Sequence, residues 1–301
     1  MRAVRITRFG GPDVLTVAET PPPRTSDGEV LVRVVASALN PVDDKTREGA
    51  IGEGTPPLPT TLGWELAGIV VDSRDDALPV GERVFGMSHQ LGTGRGTWAD
   101  LVAMPAGSLA VAPSAVSLVE AATLPLPGLT ALQTLDWLDV RAGERLLVAG
   151  AAGAVGGLAV QLARARGARV DALVSRPAQV EVATELGAER VTTDPADLPA
   201  GAYDAVFDTF GAFAVEAVAD GGRYASVATQ AGPVPDLSRR SVRTTVNQVR
   251  EDGPGLAELA KAVDAGQVRT RVEAQYGLQD VGAAHEHFRR GRLSGKIALV
   301  L

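Results

Sequence analysis

The 301-residue sequence predicts an α/β chain in two parts: a β-rich domain, then a doubly wound parallel sheet with helices on its faces. Three observations predict this. Residues 1–118 alternate apolar and polar positions in short runs broken by prolines. Residues 145–176 read strand, glycine-spaced turn, helix, strand. The remainder alternates strand and helix patterns, with no internal repeat.

In order, MRAVRITRFG and VLTVAE read as a strand pair around Gly10-Gly11-Pro12. Glu29–Ala38 alternates like a half-buried strand, and Glu65–Asp72 and Glu82–Met87 continue the pattern, while prolines 21–23, 56, 57 and 59 mark loops. Residues from 119 read as helical segments around Pro125 and Pro127. The β-α-β unit follows, then a helix over Glu181–Leu186 stopped by Gly187. Tyr203–Thr209 and Gly222–Thr229 read as buried strands, and Gly255–Ala265 as a late helix. The C-terminus adds strand, helix and strand, closing on GKIALVL. The division expected is 1–118 for the β domain and 119–263 for the doubly wound one.

Gly150, Gly153 and Gly156 stand between the strand Leu146–Ala149 and the amphipathic run Leu158–Ala165. The first permits a tight turn, the second lets backbone approach a pyrophosphate, and the third lets helix and strand pack closely. The helix amides and dipole then face the anion, with Ala152, Gly153, Ala154 and Val155 presenting backbone. The strand ARVDALV ends in Ser175-Arg176 with no carboxylate at its tip, since Asp171 lies mid-strand. An acid there holds a ribose 2′-hydroxyl, whereas a hydroxyl beside a guanidinium suits a 2′-phosphate. NADPH is therefore expected over NADH, the alternative being that Ser175-Arg176 is an ordinary solvated loop.

Composition excludes several classes. A formal charge of −7 argues against a nucleic-acid partner. No segment approaches about 20 apolar residues, so no membrane span is expected, and a cytoplasmic protein is. Cysteine is absent, which removes disulfides, thiolate metal sites and a cysteine nucleophile. Lysine stands only at 45, 261 and 296 against many arginines, a bias associated with GC-rich bacterial genomes.

An ordered set of blocks resembles the medium-chain dehydrogenase/reductase superfamily, in its zinc-free quinone oxidoreductase (zeta-crystallin-like) branch. The blocks are Asn40-Pro41-Val42-Asp43 with Lys45 and Arg47-Glu48-Gly49, Leu62-Gly63-Trp64-Glu65, Val80–Gly86, Gly96-Thr97-Trp98-Ala99, Gly128-Leu129-Thr130-Ala131, Gly150–Gly156, Leu186-Gly187-Ala188 and Gly295-Lys296-Ile297. The resemblance implies a GroES-like β-barrel catalytic domain plus a Rossmann cofactor domain. Residues 264–301 would return to the β domain, and the cofactor would lie in the cleft between the two.

The resemblance also implies hydride transfer from NADPH to a small quinone or α,β-unsaturated carbonyl compound, in an enzyme that often forms homodimers. Zinc relatives carry Gly-His-Glu where this chain has Gly63-Trp64-Glu65, and His89, His285 and His287 make no replacement site, so no metal is expected. Asn40, Asp43 and Lys45, on the loop after the strand VLVRVVASAL, are the candidate catalytic groups. Asn40 would donate to the acceptor oxygen or the cofactor carboxamide, while Asp43 is read first as a backbone cap. Lys45 stands where many relatives have Tyr, and either polarises an oxyanion or pairs with Asp43 or Asp44. Trp64 fills the core or walls the substrate pocket.

Thr130 is a phosphate-side hydroxyl by resemblance. Phe210, Gly211, Val227, Thr229, Val246, Asn247 and Gln248 sit at strand ends that line a nucleotide crevice or pack the core. Relatives often carry a tyrosine near the adenine where this chain reads Thr192-Thr193-Asp194, whose charge is unhelpful to a phosphate. Two other functions stay open: a polyketide-type enoyl reductase, and a catalytically idle NADPH-binding protein.

Overall fold

A computed structural model describes residues 1–291 and 293–301. The strands and helices run in chain order as β1 (Arg2–Ile6), β2 (Thr16–Glu19), β3 (Glu29–Ala38), α1 (Pro41–Glu48), β4 (Thr60–Thr61), β5 (Glu65–Asp72), β6 (Arg83–Met87), α2 (Gln90–Thr93), β7 (Leu101–Pro105), β8 (Leu109–Val111), α3 (Leu118–Ala121) and α4 (Pro125–Trp137). Then come β9 (Arg145–Ala149), α5 (Ala154–Ala165), β10 (Arg169–Leu173), α6 (Val180–Glu185), β11 (Arg190–Thr192), β12 (Tyr203–Asp208), β13 (Val218–Ser226), β14 (Arg243–Val246), α7 (Gly253–Asp264), β15 (Val272–Gly277), α8 (Val281–Arg290) and β16 (Lys296–Val300).

The chain divides into two compact units. The first comprises 1–126, 250–264 and 270–301; the second comprises 127–249 and 265–269. The expected boundaries differ from this at 119–126 and at 250–263, which group with the β-rich unit, and at 265–269, which group with the second unit. Side chains explain the second difference. The Glu251 carboxylate accepts the His89 amide at 2.6 Å and the Ser108 hydroxyl, and Asp264 at the end of α7 accepts the Ala115 amide at 2.8 Å. Between them Leu256 and Leu259 are fully buried.

In the first unit, β2-β1-β4 form an antiparallel sheet. A second sheet runs β15-β16-β3-β5-β6-β8, with β7 also paired to β3. β3 is long and alternately buried because it feeds both β5 and β7, and its inward valines 30, 32 and 34 pack with Leu66, Val70, Val84, Val102 and Met104. The C-terminal strand β16 pairs antiparallel with the end of β3, Ala298 opposite Ala38. That pairing brings the last residues beside the start of α1.

The second unit is a parallel sheet of order β11-β10-β9-β12-β13-β14, the sequential order 3-2-1-4-5-6 of a dinucleotide fold. Its central strands are buried on both faces: Leu146, Leu147, Val148, Val206, Phe207 and Tyr224 are all fully enclosed. The strand ends carrying the candidate cofactor residues therefore share one edge, the carboxyl edge of the sheet.

Candidate functional site

On the second unit, the glycine turn has the geometry its spacing predicts. Gly150 follows β9 with φ +84°, and its amide bonds Leu173 O at 2.8 Å. Gly153 N-caps α5 in an extended conformation and, being glycine, brings no capping side chain of its own. A Cβ on Gly156 would lie 2.2 Å from the Gly150 carbonyl oxygen, so only glycine lets α5 sit this close to the turn. Gly153 is exposed, Ala154 and Val155 half-buried, and Ala152 buried. A helix start behind an exposed glycine suits a pyrophosphate.

Ser175 and Arg176 follow β10 directly. The Ser175 amide and hydroxyl both donate to Gln179 Oε1, at 3.1 and 3.0 Å. Asp171 pairs with Arg145 at 2.8 Å and accepts the Tyr203 hydroxyl at 2.9 Å. Burial, reinforced by that carboxylate, pushes the Tyr203 phenol up to about 12. Asp194 turns back to accept the Ala196 amide at 2.9 Å, so it caps its own turn.

Thr130 and Asn247 are linked through Thr134. The Thr134 hydroxyl donates to Thr130 O at 2.7 Å and accepts the Asn247 side-chain amide at 2.8 Å. Asn247 N also bonds Ser226 O at 2.8 Å, at the end of β13. Phe210, Thr229, Val246 and Gln248 are exposed; Gly211 and Val227 are half-buried. Sequence reading missed Asp208. Its carboxylate, at the end of β12, gathers the amides of Phe210, Gly211, Ala212 and Phe213.

On the first unit, the segment read as a loop is the helix α1. Asn40 is its N-cap, Pro41 its first residue and Gly49 its left-handed C-cap at φ +74°. Asp43 accepts the Asn40 backbone amide on Oδ2 at 2.8 Å, closing a capping box. Its Oδ1 is buried and finds no partner among the described residues. Burial pushes the Asp43 carboxyl up to about 8, against the opposing pull of the Asn40 hydrogen bond and the Lys296 charge.

Two residues that the resemblance carried without a role complete this cluster. The buried Lys296 ammonium donates to Leu39 O at 2.7 Å, Asn40 Oδ1 at 2.5 Å and Glu65 Oε1 at 2.8 Å. Asn40 Nδ2 donates to the same Glu65 oxygen at 2.7 Å, and Glu65 Oε2 accepts the Leu126 amide at 2.8 Å. The Asn40 amide is thereby held in one orientation. Lys45 is half-buried on α1, and burial lowers its ammonium pKa.

The other acid of this helix, Asp44, is held by Arg47 and His285, both at 2.7 Å. Burial pushes its carboxyl up, but those hydrogen bonds and charges outweigh burial and keep it below the ordinary range. His285 is fully buried with its ring edge on Trp98, whereas His287 meets Tyr276 at 3.1 Å. Trp64 is buried against His89, its indole nitrogen unpartnered among the described residues.

Asp43 supplies a pH prediction. Its folded pKa lies above the unfolded 3.8, so its contribution is complete below about 4 and is lost as pH rises through about 8. Asp43→Asn removes this loss. Thermal denaturation from pH 5 to 9 is expected to show the variant gaining on the parent chain up to about pH 8 and the difference levelling above it; parallel curves throughout contradict it.

The alcohol dehydrogenase GroES-like domain model matches residues 26–114, and the zinc-binding dehydrogenase model matches 182–299. A 2-methylene-furan-3-one reductase of Solanum lycopersicum is 32% identical, over 99% of this chain and 79% of its own. An NADPH-dependent alkenal/one oxidoreductase (chloroplastic) of Arabidopsis thaliana is 31% identical over the same shares. The solved structure of a quinone oxidoreductase from Coxiella burnetii superposes with a TM-score of 0.89 at 28% identity, covering 100% of this chain and 99% of that one.

Zinc does not fit the residues present. The chain lacks cysteine, Trp64 stands at the histidine position, and both Glu65 oxygens are taken. Among the described residues no group of three or more His, Cys, Asp or Glu could hold a metal ion. In its two domains, their topology and its relatives, the chain belongs to the medium-chain dehydrogenase/reductase superfamily, in the quinone oxidoreductase branch.

Proposed function

We propose that this protein is an NADPH-dependent, metal-independent reductase of quinones and α,β-unsaturated carbonyl compounds. The observation that carries the reading is the carboxyl edge of the parallel sheet: a glycine turn opening a helix, beside a strand tip offering Ser175 and Arg176. The one carboxylate of that strand, Asp171, is spent on Arg145 and Tyr203. The relatives named for alkenal and quinone reduction support the acceptor class.

When bound, NADPH supplies the hydride. The chain's residues orient and stabilise. With Oδ1 on Lys296 and one N–H on Glu65, Asn40 retains a second N–H to donate to an oxygen that gains negative charge. Lys45, its pKa lowered by burial, is the stronger acid for protonating that oxygen. A quinone or enone suits such donors because its charge spreads by conjugation, without need of a Lewis acid.

The test is NADPH consumption with 1,4-benzoquinone and a simple enone, alongside calorimetric titration with NADPH. Turnover unaffected by EDTA is expected. Binding without turnover across both acceptors would favour the idle reading, and turnover lost to EDTA and restored by zinc would end the metal-free one. Arg176→Ala is expected to raise the KM for NADPH about tenfold, the scale of one charge-assisted phosphate contact, with the KM for NADH little changed. Equal changes for both cofactors in steady-state kinetics would remove the basis for NADPH.

A homodimer is part of the same proposal. β14 ends the parallel sheet, leaves Val246 exposed, and among the described residues pairs only with β13. Light scattering on the purified protein distinguishes a dimer from a monomer. Among the described residues no helix is long and apolar enough to cross a membrane.

A further inference from the structure

We infer that Asp208 is a positioning residue for the dinucleotide, holding the segment 209–213 as a wall against the phosphate turn. This rests on the cofactor reading above. The Asp208 side chain is fully buried, yet it has an acceptor's full complement of donors. Oδ1 accepts the amides of Phe210 at 3.1 Å, Gly211 at 2.9 Å and Ala212 at 3.1 Å; Oδ2 accepts the amide of Phe213 at 2.9 Å and the Tyr224 hydroxyl at 2.7 Å. Burial and the neighbouring carboxylate push the Tyr224 phenol up, so it stays a donor.

Wrapping four successive amides around one carboxylate demands unusual backbone. Gly211 has φ +84° and Phe213 has φ +49°, the latter outside the region most side chains prefer. The wrapped segment then lies on the first glycine of the phosphate turn. Thr209 Oγ1 donates to Ala149 O at 2.8 Å. A Cβ on Gly150 would lie 2.1 Å from Thr209 Oγ1 and 3.0 Å from the Phe210 ring. Phe210 itself is 41% exposed, an aromatic ring held at the rim of the crevice rather than in the core. A strand-to-loop turn needs no buried carboxylate; one that must keep a ring and a threonine beside a glycine turn gains from such a clamp.

Asp208→Asn has one acceptor atom and one donor atom where the carboxylate had two acceptors. Either the Phe213 amide or the three amides on the other oxygen lose their partner. The expected result is a rise of at least tenfold in the NADPH Kd by isothermal titration calorimetry, with faster hydrogen exchange of the 210–213 amides. Asp171→Asn is the control, since Asp171 is also a buried, hydrogen-bonded carboxylate, in the middle of β10; it is expected to lower the thermal midpoint and leave the Kd within twofold. If Asp208→Asn does not fold, Tyr224→Phe removes one donor and keeps the amides, and is expected to raise the Kd about threefold.

Asp208→Asn that folds and binds within twofold of the parent overturns the inference, as does an equal change in Asp171→Asn. Where Tyr224→Phe is the deciding variant, an unchanged Kd overturns it. A parent chain that binds neither NADPH nor NADH defeats the cofactor reading, and this inference with it.

Discussion

Lys296→Met is expected to destabilise the protein by about 3–5 kcal/mol, the scale for removing one partner of a buried ion pair. The ammonium has three acceptors, Leu39 O, Asn40 Oδ1 and Glu65 Oε1, all within 2.8 Å. Methionine matches its length but leaves the Glu65 carboxylate buried with two amide donors and no charge partner. It also removes the group that keeps the Asn40 amide from turning over. Turnover is therefore expected to fall by at least tenfold in whatever fraction folds, with the NADPH KM little affected, because the residues proposed to hold the nucleotide belong to the other unit. The companion variant Lys296→Met with Glu65→Gln restores neutrality and is expected to regain part of the stability. Thermal denaturation measures the first effect and steady-state kinetics the second. A Lys296→Met protein as stable and as active as the parent would reduce the cluster to a solvated pair.

Most of the nucleotide unit was legible in the sequence, since its signals are local. A glycine triplet between an apolar strand and an amphipathic helix has one arrangement that packs, and Ser175-Arg176 directly follows its strand. Asp208 escaped notice because YDAVFDT reads as a strand ending in an ordinary acid; its role depends on the loop beyond folding back over it. The α1 segment was misread although its signals were present. PVDDKTRE has no apolar stripe, so periodicity says nothing, but Asn40, Pro41, Asp43 and Gly49 are the residues of a capped helix start and stop.

The Lys296–Glu65 pair lay beyond local reading. Its members are 231 residues apart, joined only when β16 pairs with β3. The grouping of α7 with the β-rich unit has the same cause. Its neighbours in sequence belong to the nucleotide unit, but Glu251 and Asp264 at its two ends find partners 162 and 149 residues away. Long-range polar pairs of this kind decide where a segment docks, and no pattern of spacing announces them.

Gly156→Ala is expected to damage both folding and nucleotide binding, and comparison with Gly153→Ala separates the two. At position 156 a Cβ would meet Gly150 O at 2.2 Å, Gly150 C at 2.7 Å and Ala151 Cα at 3.0 Å. These are backbone atoms and cannot rotate aside, so α5 must move away from the turn. Overpacking of this sort costs about 1–3 kcal/mol, against which alanine returns about 1 kcal/mol of helix propensity. The larger effect is on the anion site, since the helix amides and the turn must keep their spacing to within about 1 Å. NADPH affinity is expected to fall by about a hundredfold, the scale of losing one or two charge-assisted hydrogen bonds to phosphate. At position 153 the nearest atom to a Cβ is Gly150 O at 3.2 Å, and the backbone is extended with negative φ. Alanine fits there with little strain but projects from the exposed turn where backbone is to meet phosphate. Gly153→Ala is thus expected to keep the parent's thermal midpoint without ligand and lose most of the NADPH-induced rise, about 2.7 kcal/mol at a hundred times the Kd. Gly156→Ala is expected to lose both. Thermal shifts with and without NADPH read both quantities, and a Gly156→Ala protein whose ligand-induced shift equals the parent's would show that the turn does not set the phosphate site.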